Sequence, residues 1–153
     1  MERVIFLVQH GEAKSESEDP ERHLNEVGKE ETRKVGILLS KTPLRPSLIV
    51  HSGKARAKET AEILAELLKP ERGVVEGENL SPLDDPLTWA KRLENEDKIM
   101  IVGHLPYLSK LTSLLLVGDQ NVEVVKFRYS SCLVLAKEDK FRIKLFVTPE
   151  VEK

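Results

Sequence analysis

Two uninterrupted apolar runs, each ending in a histidine motif, limit this chain more than any other feature. Val4-Ile5-Phe6-Leu7-Val8 leads into Gln9-His10-Gly11-Glu12, and Ile99-Met100-Ile101-Val102 leads into Gly103-His104-Leu105-Pro106. Short runs without polar alternation are strands buried on both faces, the pattern of a parallel sheet covered by helices. In open α/β sheets the residues just past the carboxyl ends of the strands build the ligand site. Two histidines delivered to one edge of one sheet can share a pocket.

The remaining pattern alternates strand with helix, as an α/β domain requires. The first strand spans about Arg3 to Gln9, and an acidic loop from Glu12 to Asp19 ends at Pro20. Leu24, Val27, Val35, Leu38 and Leu39 mark one face of a helix with Asn25 as N-cap, ended by Pro43 and Pro46. Ser47 to His51 is a second strand. Ala57, Thr60, Ala61, Leu64, Leu67 and Leu68 form a helical stripe stopped by Pro70. A weak strand is expected at Gly73 to Glu76. Asp85 as N-cap with Pro86 at the first helical position starts a helix through Leu87, Ala90 and Leu93. The strand Lys98 to Val102 precedes a helix opened by Pro106 and carried by Leu108, Leu111, Leu114 and Leu115. Val122 to Phe127, Ser131 to Ala136 and Arg142 to Val147 then read as strands, with a hairpin turn at Glu138-Asp139-Lys140. The expected fold is one domain over residues 1–153, a three-layer α/β/α sandwich. Its sheet is mainly parallel with antiparallel carboxyl-terminal strands.

At 153 residues the chain is long enough to bury a core, and Cys132, its only cysteine, excludes an internal disulfide or a multi-cysteine metal site. A formal charge of −2 with interspersed signs leaves no basic face for nucleic acid or anionic lipid. No stretch is apolar enough to span a membrane, and no leader-like segment follows Met1, so the cytoplasm is the expected compartment.

The carboxyl ends of these strands collect His10 and Gly11, then His51 and Ser52 with Lys54 and Arg56 at the next helix start, then His104. Gly11 is expected to let backbone approach a ligand closely. Imidazoles, a guanidinium, an ammonium and helix amino-terminal N–H groups together suit a phosphoryl group. A neutral imidazole is a competent nucleophile, and cations spread the charge of the oxygens as phosphorus is transferred. This scheme calls for no metal and no cofactor.

The motifs from Val4 to about Leu116 resemble the histidine phosphatase superfamily, and within it the small SixA-type phosphohistidine phosphatases. The family's Arg-His-Gly stands here as Gln9-His10-Gly11, so the resemblance implies that His10 is the nucleophile that becomes phosphorylated. The Arg22-His23-Leu24-Asn25-Glu26-Val27-Gly28 segment is similar to the family's arginine before a helix start. Ser52-Gly53-Lys54-Ala55-Arg56-Ala57-Lys58-Glu59-Thr60 is similar to its Ser-Pro-x-x-Arg-Ala-x-x-Thr motif. Arg22, Arg56, Gln9 and His104, the last in a Gly-His-x-Pro setting, are thereby implied on the phosphoryl oxygens.

Gln9 departs from the family, which carries an arginine there. An amide donates a hydrogen bond but brings neither charge nor fork geometry. Lys54, two residues before Arg56, is the candidate to restore charge, and Gly53 in place of proline is expected to loosen the turn. Glu12, Asp84 and Asp85 are candidates, by loop position alone, for the acid that would protonate a leaving alkoxide. Imidazole leaves more readily than an alcohol, so a phosphohistidine substrate eases that demand.

The expected function is a phosphatase acting on phosphohistidine in a protein, since little sequence is left for a lid over a small metabolite. Two alternatives stand beside it: a small-molecule phosphomonoesterase of the same mechanism, and a phosphate- or phosphohistidine-binding module weakened by Gln9. His23 and His51 read as structural or solvent-facing. Glu16, Glu18, Asp19 and Glu21 read as a solvated loop, and Cys132 as a small buried apolar residue.

Overall fold

The strand Arg3–Gln9 (β1) is paired on both sides, which explains why its side chains are apolar in succession. A computed structural model describes residues 2–151 of the chain. After β1 come the helix Glu26–Ser40 (α1), the strand Leu48–His51 (β2), the helix Ala55–Leu68 (α2) and the strand Val74–Glu76 (β3). The helix Leu87–Leu93 (α3), strand Ile99–Gly103 (β4) and helix Tyr107–Val117 (α4) follow. Strands Cys132–Lys137 (β5) and Phe141–Val147 (β6) and a 3₁₀ turn at Pro149–Val151 complete the described chain. The six strands lie in the order β3-β2-β4-β1-β5-β6. β1 to β4 run parallel, whereas β5 is antiparallel to both β1 and β6.

Strand side chains alternate between two helical layers. Val4, Phe6, Val8, Ile49, Met100 and Val102 meet Val35 and Leu39 of α1 and Ala57, Ala61, Leu64 and Leu68 of α2. Ile5, Leu7, Leu48, Val50, Ile99 and Ile101 meet Trp89 and Leu93 of α3 and Leu108 and Leu111 of α4 on the other face. Each large side chain so buried contributes about 1.5–3 kcal/mol. An exposed ion pair such as Arg92–Glu96 contributes roughly 0–1 kcal/mol. The two apolar layers therefore hold the sheet.

Two glycines set how closely α1 approaches β1. A Cβ on Gly28 would stand 2.1 Å from the backbone oxygen of Glu12, and one on Gly11 would stand 2.9 Å from Thr32 Oγ1 and 3.0 Å from the oxygen of Gly28. The space at Gly11 is thus filled by α1 and is not left for a ligand, contrary to the sequence expectation. Asn25 caps α1 as expected, its side chain accepting from Gly28 N at 2.8 Å. Asp85 Oδ1 likewise accepts from Leu87 N at 3.0 Å, although the regular helix begins only at Leu87.

Val122–Phe127 is not a strand. β1 and β5 are already paired on both sides, and this segment crosses the α3–α4 face, where Val125 and Phe127 are buried. The hydroxyl of Ser113 donates to Val122 O, and the rings of Phe127 and Phe146 meet edge to face at 6.2 Å. Alternating apolar residues here record burial beneath an extended loop, which gives the same period of two as a ladder.

Candidate active site

Because β1, β2 and β4 are parallel, Gln9, His51 and Gly103 end at one edge of the sheet. The antiparallel β5 begins at that same edge. The backbone leading to His10 is held from both sides. His10 N donates to Gly103 O at 3.0 Å, Gln9 N donates to Ser131 O at 3.2 Å, and Ser130 N approaches Gln9 O at 3.0 Å and His10 O at 3.3 Å. The hydroxyls of Ser130 and Thr32 share a hydrogen bond of 2.9 Å, tying this edge to α1.

His10 is only 6% exposed, and its Nδ1 lies 2.7 Å from the carbonyl oxygen of Gly11. A carbonyl can only accept, so in the neutral ring Nδ1 carries the proton and Nε2 keeps its lone pair. Burial pushes the His10 pKa down to about 4. The Gly11 carbonyl opposes that shift, and the charges of Arg56 and Arg22 add to it. His10 is therefore neutral at pH 7, with Nε2 as its lone-pair nitrogen. Its ring contacts His104, with centroids 5.0 Å apart, and Tyr129, at 5.7 Å.

His104 arrives on the end of β4 and is 1% exposed. Its Nε2 lies 2.6 Å from Ser52 Oγ, across the gap between β4 and β2. Burial lowers its pKa to about 3, followed by the effects of His10, Arg56, Lys54 and Arg22. Both imidazoles are neutral in a cationic setting, so the local positive charge comes from arginine and lysine.

Arg56 lies in the first turn of α2, which has no acidic residue there and no side-chain cap. A cation is unfavourable at a helix amino terminus unless an anion shares the place. Arg22 adopts φ +54, with its Nε donating to Lys14 O at 3.1 Å, and its charge reaches His10, His104 and Arg56. Lys54 is exposed, and its charge acts on His104. Gln9 Oε1, Arg56 Nε and His104 Nδ1 are buried without a hydrogen-bond partner. Burying a polar group without a partner is costly, so these groups are candidates to be satisfied by a bound molecule; Arg56 Nε can donate to an anion, whereas Gln9 Oε1 can only accept.

The structure thus brings His10 and His104 together with the charges of Arg56, Arg22 and Lys54 in reach, and Gln9 precedes His10 at the same sheet edge. Gly11 is not free to bind through its N–H, which donates to Thr60 Oγ1 at 2.9 Å. Gly53 adopts φ +92, with its Cβ position 2.6 Å from Glu76 Oε2. Proline, with φ near −65°, cannot adopt this turn, so glycine serves a defined conformation and not looseness. Glu12 accepts from Asn25 Nδ2 at 2.9 Å, and Asp84 Oδ2 accepts from Ser81 N at 2.9 Å. With Asp85 on Leu87 N, all three candidate acids hold their own loops. His51 is buried, its Nδ1 accepting from Gly53 N at 3.0 Å, which is a structural role. Asp19 organises the acidic loop, with His23 Nδ1 at 2.7 Å from its Oδ2. Burial pushes the Cys132 thiol up to about 12, consistent with a packing role.

Two contributors escape the sequence reading, and a third is legible there only by position. Thr60, counted there on an apolar stripe, donates to Arg56 O at 2.8 Å while accepting from Gly11 N, so it couples α2 to the His10 loop. Its place at the end of the Arg-Ala-x-x-Thr run was the available signal. Tyr129 packs on His10 from a segment with no motif, while Ser52, expected at this edge without a role, holds His104.

The fold is shared with solved structures. The protein histidine phosphatase SixA complexed with tungstate superposes with a TM-score of 0.86, covering 98% of this chain and 99% of that one at 20% identity. The mycobacterial glucosyl-3-phosphoglycerate phosphatase complexed with VO3 superposes at 0.68, covering 94% and 98% at 16% identity. Among curated proteins, the mitochondrial serine/threonine-protein phosphatase Pgam5 of Caenorhabditis briggsae is 28% identical over 87% of this chain, which spans about half the length of that relative. The model of the histidine phosphatase superfamily (branch 1) matches residues 5–81, a segment that contains Gln9, His10, Arg22 and Arg56. This chain belongs to the histidine phosphatase superfamily.

Proposed function

We propose that the protein is a phosphohistidine phosphatase working through a phosphoryl group carried on His10. The observation that carries this reading is the His10–Gly11 contact of 2.7 Å, which presents Nε2 as a free lone pair beside the cations. His10 Nε2 attacks phosphorus, the bond from phosphorus to the substrate nitrogen breaks, and its electron pair leaves with the substrate imidazole. Water then attacks the phosphoryl-His10 group, releasing inorganic phosphate and restoring the neutral ring. Arg56, Arg22, Lys54, His104 and the Gln9 amide stabilise the equatorial oxygens in this scheme.

Imidazole is favoured as leaving group because Glu12, Asp84 and Asp85 are each engaged with their own loops. An alkoxide would need a proton at the moment of departure, whereas a protonated phosphoimidazole departs as neutral imidazole. A protein carrying phosphohistidine is the proposed partner, with no cofactor, and the cytoplasm the proposed compartment. Among the described residues no helix is long and apolar enough to cross a membrane. The test is hydrolysis of a phosphohistidine peptide beside p-nitrophenyl phosphate, with His10→Ala in parallel. Turnover lost in the variant and faster on the peptide supports the reading; equal rates in the two proteins refute it.

A second reading, a binding module without turnover, draws on the uncharged Gln9, which is 7% exposed with Oε1 unpartnered. Phosphate affinity without His10-dependent turnover would establish it.

A further inference from the structure

Tyr129 is in contact with the candidate nucleophile and with solvent at once. Its ring lies 5.7 Å from that of His10, tilted by 44°, yet the residue is 37% exposed. It therefore borders the mouth of the site. The phosphoryl-binding groups His104 and Gln9 are buried, so a leaving group attached to a larger molecule has to project outward, past this rim.

The turn that carries the ring is held in place. Ser131 Oγ donates to Arg128 O at 2.7 Å, closing the turn that carries Tyr129. Arg128 pairs with Glu31 and Glu150, each at 3.3 Å, and Ser130 is tied to Thr32. Ser130 itself adopts φ +66, a left-handed conformation that a non-glycine residue keeps only where its surroundings over-determine it. An exposed aromatic ring on a pinned, strained turn beside a nucleophile is a preformed stacking surface, which loses little conformational freedom when it is covered.

Resting on the phosphatase reading above, we propose that Tyr129 is a specificity-determining residue whose ring stacks on flat leaving groups, favouring imidazole over saturated amines and alcohols. The ring acts on the departing group by contact. The chemical step is unchanged: the P–N bond breaks as the bond from His10 Nε2 to phosphorus forms, and the ring nitrogen takes the electron pair. A leaving imidazole already protonated on its second nitrogen needs no acid from the protein. The Tyr129 hydroxyl has no part in this selection.

Phosphoimidazole and phosphoramidate test it, since both carry a P–N bond and only the first carries a ring. In Tyr129→Leu, kcat/KM for phosphoimidazole should fall roughly two- to tenfold, the worth of one aromatic contact. The ratio of phosphoimidazole to phosphoramidate turnover should fall by that factor, any change in His10's surroundings acting on both substrates alike, and Tyr129→Phe should keep the parent's ratio. An unchanged ratio, or a Tyr129→Phe variant whose ratio falls as far as that of Tyr129→Leu, would overturn the proposal. Phenylphosphonate and methylphosphonate, which are not hydrolysed, repeat the comparison as binding. A phenyl preference lost in Tyr129→Leu sustains the stacking role even in a protein without turnover, where the phosphatase reading alone would fail; no phenyl preference in the parent overturns the stacking role.

Discussion

His10 Nδ1 lies 2.7 Å from the carbonyl oxygen of Gly11, so the residue that follows His10 also chooses its tautomer. The same ring is buried between His104 and Tyr129. With the folded pKa near 4 and the unfolded value near 6.5, the unfolded chain takes up a proton first as pH falls. This contribution to stability is complete above about pH 6.5 and is lost between there and pH 4. An NMR titration of the free protein should place the His10 midpoint at about 4. A midpoint at the ordinary imidazole value would show that the ring is not desolvated as described.

Ser52 Oγ and His104 Nε2, 2.6 Å apart, join the ends of β2 and β4. Ser52→Ala should lower kcat roughly three- to tenfold by releasing the imidazole, the usual worth of one hydrogen bond. Thermal melting should move little, because Ser52 is not in the core. Unaltered kcat would remove Ser52 from the site.

Gln9→Arg should raise kcat/KM at least about tenfold, since a preorganised charged donor to the transferring oxygens is worth roughly 10²–10³-fold when removed elsewhere. Steady-state kinetics on p-nitrophenyl phosphate would show it. No gain would mean that Arg56, Arg22 and Lys54 already supply the required charge.

Gly28→Ala should cost about 2–3 kcal/mol in urea unfolding, because the added Cβ meets the backbone oxygen of Glu12 at 2.1 Å. Neither backbone can yield without moving the Gly11–Glu12 segment, so activity should fall with stability. A variant as stable as the parent would contradict the tight α1–β1 contact.

Both histidines are legible in the sequence because uninterrupted apolar runs belong to strands covered on both faces, whose ends share one edge. Arg56 is legible for an electrostatic reason, a cation where a helix dipole disfavours one. Thr60 is hidden because a threonine on a helical stripe passes for core until its hydroxyl is seen to bridge Arg56 and Gly11. Tyr129 is hidden for a topological reason. Only the antiparallel entry of β5 brings it to His10, and 119 positions separate them along the chain. Val122–Phe127 shows the opposite error, since a period of two cannot distinguish a strand from an extended loop packed on helices.

The most direct measurement is capture of the protein in mid-turnover by alkaline quench, with mass spectrometry of the peptide containing His10 and NMR of the phosphorylated ring. The account expects a phosphoryl group on His10 Nε2 that forms and decays no slower than turnover and is absent from His10→Ala. Turnover with an unmodified His10, or phosphorylation on Nδ1, would contradict it.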